Sequence, residues 1–153
     1  MMSDTPDPIN TAIDRWHRFL KGDLPGGLDE LLHDDVVFLS PIVFSPQVGK
    51  AITTMYLTAA GTALAGKPTS RGGAPKREAK GFRYVKEVVA GHHAVLEFET
   101  SIGDVTVNGV DIITCDDEGK IIEFKVMVRP LKAVNAVHEQ MGAMLEAMKA
   151  QDS

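Results

Sequence analysis

An aspartate inside an apolar segment is the residue of this chain best suited to chemistry. Asp111 lies between Val110 and Ile112, in a run with the β-branched composition of a strand. Burying a carboxylate there is costly unless the group is paired or protonated. Two interpretations remain open: a pocket acid with a raised pKa, or a salt bridge across a sheet to Arg129 or Lys125.

The histidines and the cysteine do not form a pattern typical of a metal site or of an activated nucleophile. Adjacent His92 and His93 would point to opposite faces of a strand and would rarely reach one ion. His33 and His138 are predicted to lie in solvent. Cys115 is the only cysteine, which excludes an internal disulfide and a cysteine zinc cage. We predict no metal, no cofactor and a reducing, cytoplasmic location.

Helices dominate the first part of the chain. Asp7 and Pro8 are a cap and a first helical residue, and apolar residues then follow at helical spacing: Ile9, Ile13, Trp16 and Leu20. A short helix over 28–32, a strand over 36–39 and a helix over 49–64 come next. Residues 66–81 are rich in Gly, Pro, Lys and Arg, which predicts a basic loop, either a mobile flap that steers an anionic ligand or a solvated segment.

The second part of the chain predicts a β-meander followed by a helix. Strands are expected over 82–89, 94–102, 105–115 and 121–128, because apolar and polar residues alternate there between glycine-containing turns. An amphipathic helix over 131–149 ends the chain. Segregated helices and an antiparallel meander indicate an α+β fold in which the helices cover the apolar face of the sheet.

Composition places the chain among ordinary globular proteins. Its 153 residues are 44% hydrophobic and 24% charged, which predicts one domain over 1–153. The formal net charge of -5 argues against nucleic acid and against anionic membranes as partners.

This order of elements resembles the nuclear transport factor 2-like superfamily, which includes SnoaL-type polyketide cyclases and ketosteroid isomerase. The matching motifs are Gly22-Asp23, Asp34-Asp35-Val36-Val37-Phe38 before Ser40-Pro41, Gly49-Lys50, Gly109-Val110-Asp111-Ile112-Ile113 and Gly119-Lys120-Ile121. The resemblance implies a cystatin-like cone with its core at about 8–132. In this fold a strongly curved antiparallel sheet wraps around the N-terminal helices, here with an extra C-terminal helix. The superfamily hosts several activities, so the resemblance predicts fold better than function.

The resemblance also implies roles for particular residues. Ketosteroid isomerase uses a carboxylate base immediately before the proline of its first strand, and this chain has Ser40 there. A serine hydroxyl cannot shuttle a proton near neutral pH as a carboxylate does, which argues against that isomerase mechanism. The protonated acid of the family matches Asp111, its helix-three tyrosine matches Tyr56, and its helix-one tyrosine falls near Trp16.

Alternation and resemblance together predict the lining of a pocket between the helices and the sheet. The predicted catalytic residues are Asp111 and Tyr56, and the predicted substrate-binding residues are Trp16, Phe38, Ser40, Leu96, Phe98, Phe124, Val126 and Val128. Two functions follow as hypotheses. One is an isomerase, cyclase or dehydratase that acts on a small hydrophobic carbonyl or polycyclic compound; the other is a non-catalytic domain that binds a small apolar molecule. Val95, Glu97 and Glu99 alternate on the outer face of the sheet, and the resemblance implies a homodimer that forms through that face.

Overall fold

The computed structural model describes residues 7–63 and 81–152, which form four helices and six strands. The elements are α1 (Pro8–Leu20), α2 (Gly27–Leu31), β1 (Leu32–Leu39), β2 (Gln47–Val48), α3 (Lys50–Ala63), β3 (Arg83–Ala90), β4 (His93–Ile102), β5 (Val105–Cys115), β6 (Ile121–Arg129) and α4 (Leu131–Asp152). The α+β class is confirmed. The predicted basic loop lies, apart from Gly81, outside the described residues.

The six strands form one curved, unclosed sheet in the order β2-β1-β6-β5-β4-β3. Strands β3 to β6 are an antiparallel meander, as predicted, but β1 pairs with β6 in parallel. The sheet is therefore mixed: the predicted curved antiparallel arrangement is confirmed except between β1 and β6. Tight turns force the meander to be antiparallel, whereas β1 and β6 are far apart in sequence and no turn fixes their relative direction.

Element bounds differ from the prediction mainly around β1. This strand begins at Leu32, which pairs with Ile121, whereas the pattern had placed Leu32 on the short helix. The two-residue strand β2 pairs with Val37 and Phe38 and is too short to leave a sequence pattern. Helix α4 continues to Asp152.

Helix α1 covers one part of the sheet with the predicted apolar stripe. Its buried residues are Ile9, Ala12, Ile13 and Trp16, while Leu20 at the end of the helix is 43% exposed. Asp7 does not cap this helix with its side chain; its Oδ2 instead accepts a hydrogen bond of 2.7 Å from the backbone N–H of Gly91. This contact ties the start of α1 to the β3–β4 turn.

The face of the sheet that carries Phe98, Asp111 and Phe124 is called the inner face below, and the opposite one the outer face. The inner face packs against the helices, where Phe38, Phe98 and Phe124 are at most 2% exposed. Burying each such ring contributes on the order of 1.5–3 kcal/mol to stability. None of the helices in the described ranges is long and apolar enough to cross a membrane.

Candidate functional site

A cavity of about 730 Å³ lies between the inner face of the sheet and helices α1, α3 and α4. Its buried floor includes Phe38, Asp111 and Phe124. We call the exposed residues at its rim the mouth: Leu20, Val43, Gly61, His138 and Gly142. The surroundings change from buried and apolar at the floor to exposed at the mouth, so a charge at the floor is stabilised less by solvent than one at the mouth.

Asp111 is the carboxyl group on the cavity floor. It is 5% exposed and lies on β5 between Leu96 of β4 and Val126 of β6. Its Oδ2 accepts a hydrogen bond of 2.5 Å from the Tyr84 hydroxyl. Burial raises the pKa of Asp111 to about 7, although the Tyr84 hydrogen bond acts in the opposite direction. Near neutral pH this carboxyl group is therefore both a proton donor and a proton acceptor.

Tyr84 and Trp16 extend this contact into a chain of hydrogen bonds. The Trp16 indole Nε1–H donates to the Tyr84 hydroxyl oxygen at 2.8 Å, and that hydroxyl donates in turn to Asp111. Burial, together with the negative charge of Asp111, raises the pKa of Tyr84. Because its hydroxyl stays protonated, Tyr84 is a fixed donor that holds one oxygen of the carboxyl group.

The three residues of this hydrogen-bond chain come from three separate elements. Trp16 comes from α1, Tyr84 from β3 and Asp111 from β5. The indole is fixed by ring packing, with centroids 5.6 Å from Phe19 and 5.0 Å from Phe124. The packing of the apolar face of α1 therefore fixes the position of the indole N–H that donates to Tyr84.

Asp111 is not in a salt bridge of the kind that the sequence left open. The Arg129 guanidinium donates to Asn108 Oδ1 at 3.1 Å, and Asn108 and Arg129 are opposite each other on the neighbouring strands. Side chains alternate along a strand, so these residues lie on the outer face while Asp111 lies on the inner one. Lys125 is opposite Ile112 and is placed on the outer face for the same reason.

Most of the predicted pocket residues do line the cavity. They are Trp16, Phe38, Ser40, Tyr56, Asp111, Phe124, Val126 and Val128. Leu96 and Phe98 do not. Phe98 is covered by β3, with its ring centroid 4.9 Å from Phe82 and 6.5 Å from Tyr84, and Leu96 is fully buried on the part of β4 nearer the β3–β4 turn. Alternation identified their face correctly but could not show that β3 and α1 cover them.

Tyr56 and Ser40 line the cavity, and the hydrogen bond to Asp111 comes from Tyr84 instead. Tyr56 stacks on Phe38 at 5.3 Å between ring centroids. The Ser40 hydroxyl oxygen accepts hydrogen bonds from the backbone N–H groups of Ile42 at 2.9 Å and Val43 at 3.4 Å. Ser40 therefore shapes the turn after β1, and Tyr56 forms part of the apolar wall.

Sequence reasoning missed Tyr84, the direct partner of Asp111. The register of the hairpins contains the missing signal: Tyr84 is opposite Phe98, and Phe98 is opposite Gly109, two residues before Asp111. Pairing the predicted strands outward from their glycine turns would have placed Tyr84 and Asp111 on the same face. The contribution of α4 to the cavity was also missed, because the helix pattern does not show which element it packs against.

The other candidate residues are separate from this site. His92 contacts Asp117 at 2.7 Å and His93 contacts Thr114 at 3.2 Å, both in exposed positions. His33 Nδ1 accepts the backbone N–H of Asp35. Within residues 7–63 and 81–152, no three histidine, cysteine or acidic side chains are grouped as metal ligands would be. Burial raises the pKa of Cys115 to about 11, which keeps its thiol protonated.

Comparison with known proteins supports the fold through solved structures. No protein-family profile matches the chain, and neither does any curated protein. A steroid delta-isomerase from Pseudomonas aeruginosa is 30% identical, with a TM-score of 0.79 over 97% of this chain and 99% of the other. A protein with a cystatin-like fold from Silicibacter pomeroyi is 28% identical, with a TM-score of 0.70 over 86% of this chain and 83% of the other.

A third structure shares the fold. An NTF2-like protein of unknown function from Mesorhizobium loti is 20% identical, with a TM-score of 0.60 over 85% of this chain and 100% of the other. The curved sheet, the helices on its inner face and the near-complete match to the Pseudomonas aeruginosa structure lead to one assignment. The chain belongs to the nuclear transport factor 2-like superfamily, in the group that includes SnoaL-like and ketosteroid-isomerase-like proteins.

Proposed function

We propose that the chain binds a small hydrophobic carbonyl compound in the cavity and uses Asp111 as the proton donor to the carbonyl oxygen. The reaction class is an isomerisation, a cyclisation or a dehydration. The observation that carries this proposal is a carboxyl group with a pKa of about 7 on the floor of an apolar cavity. A carboxylic acid kept neutral near pH 7 can donate a hydrogen bond, and perturbed acids in clefts mark functional sites.

The cavity has the size and character of a small-molecule site. Its volume of about 730 Å³ is within the usual range for ligand pockets. Phe38, Phe124, Val126 and Val128 give it an apolar lining, and Asp111 adds a polar group on the floor. A ligand with an apolar body and one carbonyl group satisfies both features.

The hydrogen bond from Tyr84 assigns different tasks to the two oxygens of Asp111. Oδ2 is occupied by the Tyr84 hydroxyl, whereas Oδ1 has no hydrogen-bond partner in the described part of the chain. A proton on Oδ1 is therefore available to a ligand carbonyl. Asp111 gives this proton to the carbonyl oxygen, and the carboxylate that this leaves accepts the proton released when the α C–H bond breaks, so that the enol forms and Asp111 is again protonated. The same two transfers in reverse restore the carbonyl.

The residue that removes the α-proton decides among the reaction classes. Ser40 stands at the position of the family's carboxylate base, and its hydroxyl oxygen already accepts two backbone N–H groups. No second carboxylate lines the cavity in the residues that the structure describes. This supports cyclisation or dehydration, in which one carboxyl group both gives and takes a proton, over the two-carboxylate route of ketosteroid isomerase.

A second candidate function is binding without catalysis. It is favoured by the same serine, because a cavity with one carboxyl group can hold a carbonyl compound without transforming it. The two candidates make different predictions for a ketone in the cavity. An enzyme accelerates exchange of its α-protons with solvent, whereas a binding domain leaves them in place.

The experiment uses two ketones, the bicyclic α-tetralone and the tetracyclic enone testosterone. Binding is followed by the fluorescence of Trp16, the only tryptophan, which lines the cavity. Exchange of α-protons in heavy water is followed by NMR. We expect binding and accelerated exchange, both reduced in Asp111→Asn and retained in Asp104→Asn, an exposed turn aspartate. Binding without exchange identifies a binding domain; if neither ketone binds, the proposal is wrong.

We also propose a homodimer that forms through the outer face of the sheet. Val88 is opposite Val95 on adjacent strands, and the two are 56% and 39% exposed. Met127, on the same face, is 49% exposed. Glu97 and Lys125 lie on the same face, so a second copy offers both apolar and opposite-charge contacts. An apolar strip of this kind is more typical of an interface than of a solvated sheet.

A further inference from the structure

Two helical glycines line the cavity at its mouth, and their backbone does not require glycine. Gly61 lies in α3 and Gly142 in the middle of α4. A glycine inside a helix is destabilising relative to alanine, because glycine loses more conformational freedom on folding. Neither residue is among the glycines with positive φ, so an alanine would fit the backbone at both positions.

Close packing does not explain these glycines either. A Cβ atom built at Gly61 or at Gly142 would meet no atom within 4 Å among the residues that the structure describes. Gly109 is the opposite case, since a Cβ there would lie 2.5 Å from the Met127 carbonyl oxygen. The space beside Gly61 and Gly142 is therefore open, and it is part of the cavity.

Their positions place this open space between the floor and the solvent. On α4, Val137 and Met141 face the interior, at 3% and 9% exposure, and Gly142 follows them at the exposed edge of the same wall. On α3, Leu57 is 6% exposed and Gly61, one turn later, is exposed. Helices α3 and α4 pack against each other, and both glycines line the cavity at its exposed rim.

We infer that Gly61 and Gly142 set the width of the cavity mouth and thereby select for the size of the ligand. This inference rests on the proposed function for the nature of the ligand, but the width of the mouth is a property of the free protein. The part of a long ligand furthest from Asp111 then lies against the bare backbone of α3 and α4. A larger side chain at either position would fill the space that a tetracyclic ligand needs and leave room for a bicyclic one.

The test compares Gly142→Leu with Ala143→Leu, which adds the same side chain at the next residue of α4, exposed and outside the cavity lining. Gly61→Leu tests the facing wall. One readout is binding of testosterone and of α-tetralone. The other is quenching of Trp16 fluorescence by acrylamide, which needs no bound ligand and reports access to the cavity.

We expect Gly142→Leu to weaken testosterone binding about tenfold or more, the usual effect of a few excess methyl groups in an apolar pocket. The same variant should bind α-tetralone about as the wild type does. Ala143→Leu should change neither ketone binding nor acrylamide quenching appreciably. Acrylamide quenching should fall in Gly142→Leu and in Gly61→Leu.

The outcomes separate this inference from the proposed function. If the wild type binds neither ketone but Gly142→Leu reduces acrylamide quenching, the proposed ligand class is wrong, and the inference that the glycine sets the width of the mouth is confirmed. If quenching is unchanged in both glycine variants, the inference is overturned. It is also overturned if Gly142→Leu binds testosterone as tightly as the wild type does.

Discussion

The Tyr84 hydroxyl donates a 2.5 Å hydrogen bond to Oδ2 of Asp111, and this contact joins an edge strand of the sheet to the floor of the cavity. It has two opposing effects on the carboxyl group. Burial favours the neutral acid, while the hydrogen bond favours the carboxylate, and the balance gives a pKa of about 7. Substitution of Tyr84 therefore shifts the titration of this carboxyl group, and substitution of Asp111 removes it.

The stability of Asp111→Asn should depend on pH differently from that of the wild type. The pKa of Asp111 is about 7 in the folded protein and about 3.8 in an exposed aspartate, so the folded state holds the extra proton between these values. Wild-type stability then falls as pH rises through this window. Asparagine does not ionise, so we expect the variant to gain up to roughly 4 kcal/mol relative to the wild type from pH 4 to pH 7. Urea unfolding of both proteins across this range measures the difference between their free energies of unfolding. A difference that does not change with pH would contradict the raised pKa of Asp111.

Tyr84→Phe should move the titration of Asp111 to higher pH. The variant loses the hydrogen bond that lowers the pKa, while burial continues to raise it. A carbon NMR titration of the Asp111 carboxyl measures the midpoint without a ligand. Tyr56→Phe is the matched control, because Tyr56 lines the same cavity without bonding Asp111, and its midpoint should equal that of the wild type. A lower midpoint in Tyr84→Phe would be evidence against the hydrogen-bond chain.

Binding of a ketone should be strongest below neutral pH. The protonated form of Asp111 donates to the carbonyl oxygen, and raising the pH through about 7 removes that proton. We expect testosterone affinity to fall above this pH in the wild type, and Asp111→Asn to lose this step in the profile. Trp16 fluorescence titrations at several pH values test it; a flat wild-type profile would show that the acid does not contact the ligand.

Gly109→Ala should destabilise the sheet. A Cβ at this position would lie 2.5 Å from the Met127 carbonyl oxygen and 2.5 Å from a Phe98 ring carbon, so β5 and β6 would have to move apart or the ring would have to shift. We expect a loss of about 1–3 kcal/mol. Gly142→Ala, where the added methyl group meets open space, should instead gain about 0.5–1 kcal/mol. Thermal unfolding of the pair compares them, and equal effects would show that Phe98 does not pack as described.

The homodimer should weaken when a charge is placed on the outer face. Val88→Lys would bury an ammonium group in the apolar strip of the interface, and we expect the dissociation constant to rise about tenfold or more. Val48→Lys, at the 67% exposed edge strand β2, is the control and should leave the dimer intact. Size-exclusion chromatography with light scattering measures both. A wild-type protein that is monomeric at micromolar concentration would overturn the proposed dimer.

Local patterns in the sequence determined most of the elements. Helical spacing predicted the buried stripe of α1, and alternation between glycine turns predicted the meander from β3 to β6 and placed Asp111 on the same face as Gly109 and Ile113. Gly91 and Gly103 have φ values of 62° and 59°, which glycine adopts without strain, so the turns were encoded locally as well. These features depend on residues close together in the chain and are readable without coordinates.

Only the tertiary structure decided which residues share the cavity floor. Tyr84 reaches Asp111 across β4, Trp16 reaches Tyr84 from α1, and α4 closes a wall that its own pattern does not predict. The tertiary structure also decided the parallel pairing of β1 with β6 and the covering of Phe98 by Phe82 and β3. Each depends on contacts between segments that are distant in sequence, and local periodicity fixes the face of an element but not the neighbour that covers it.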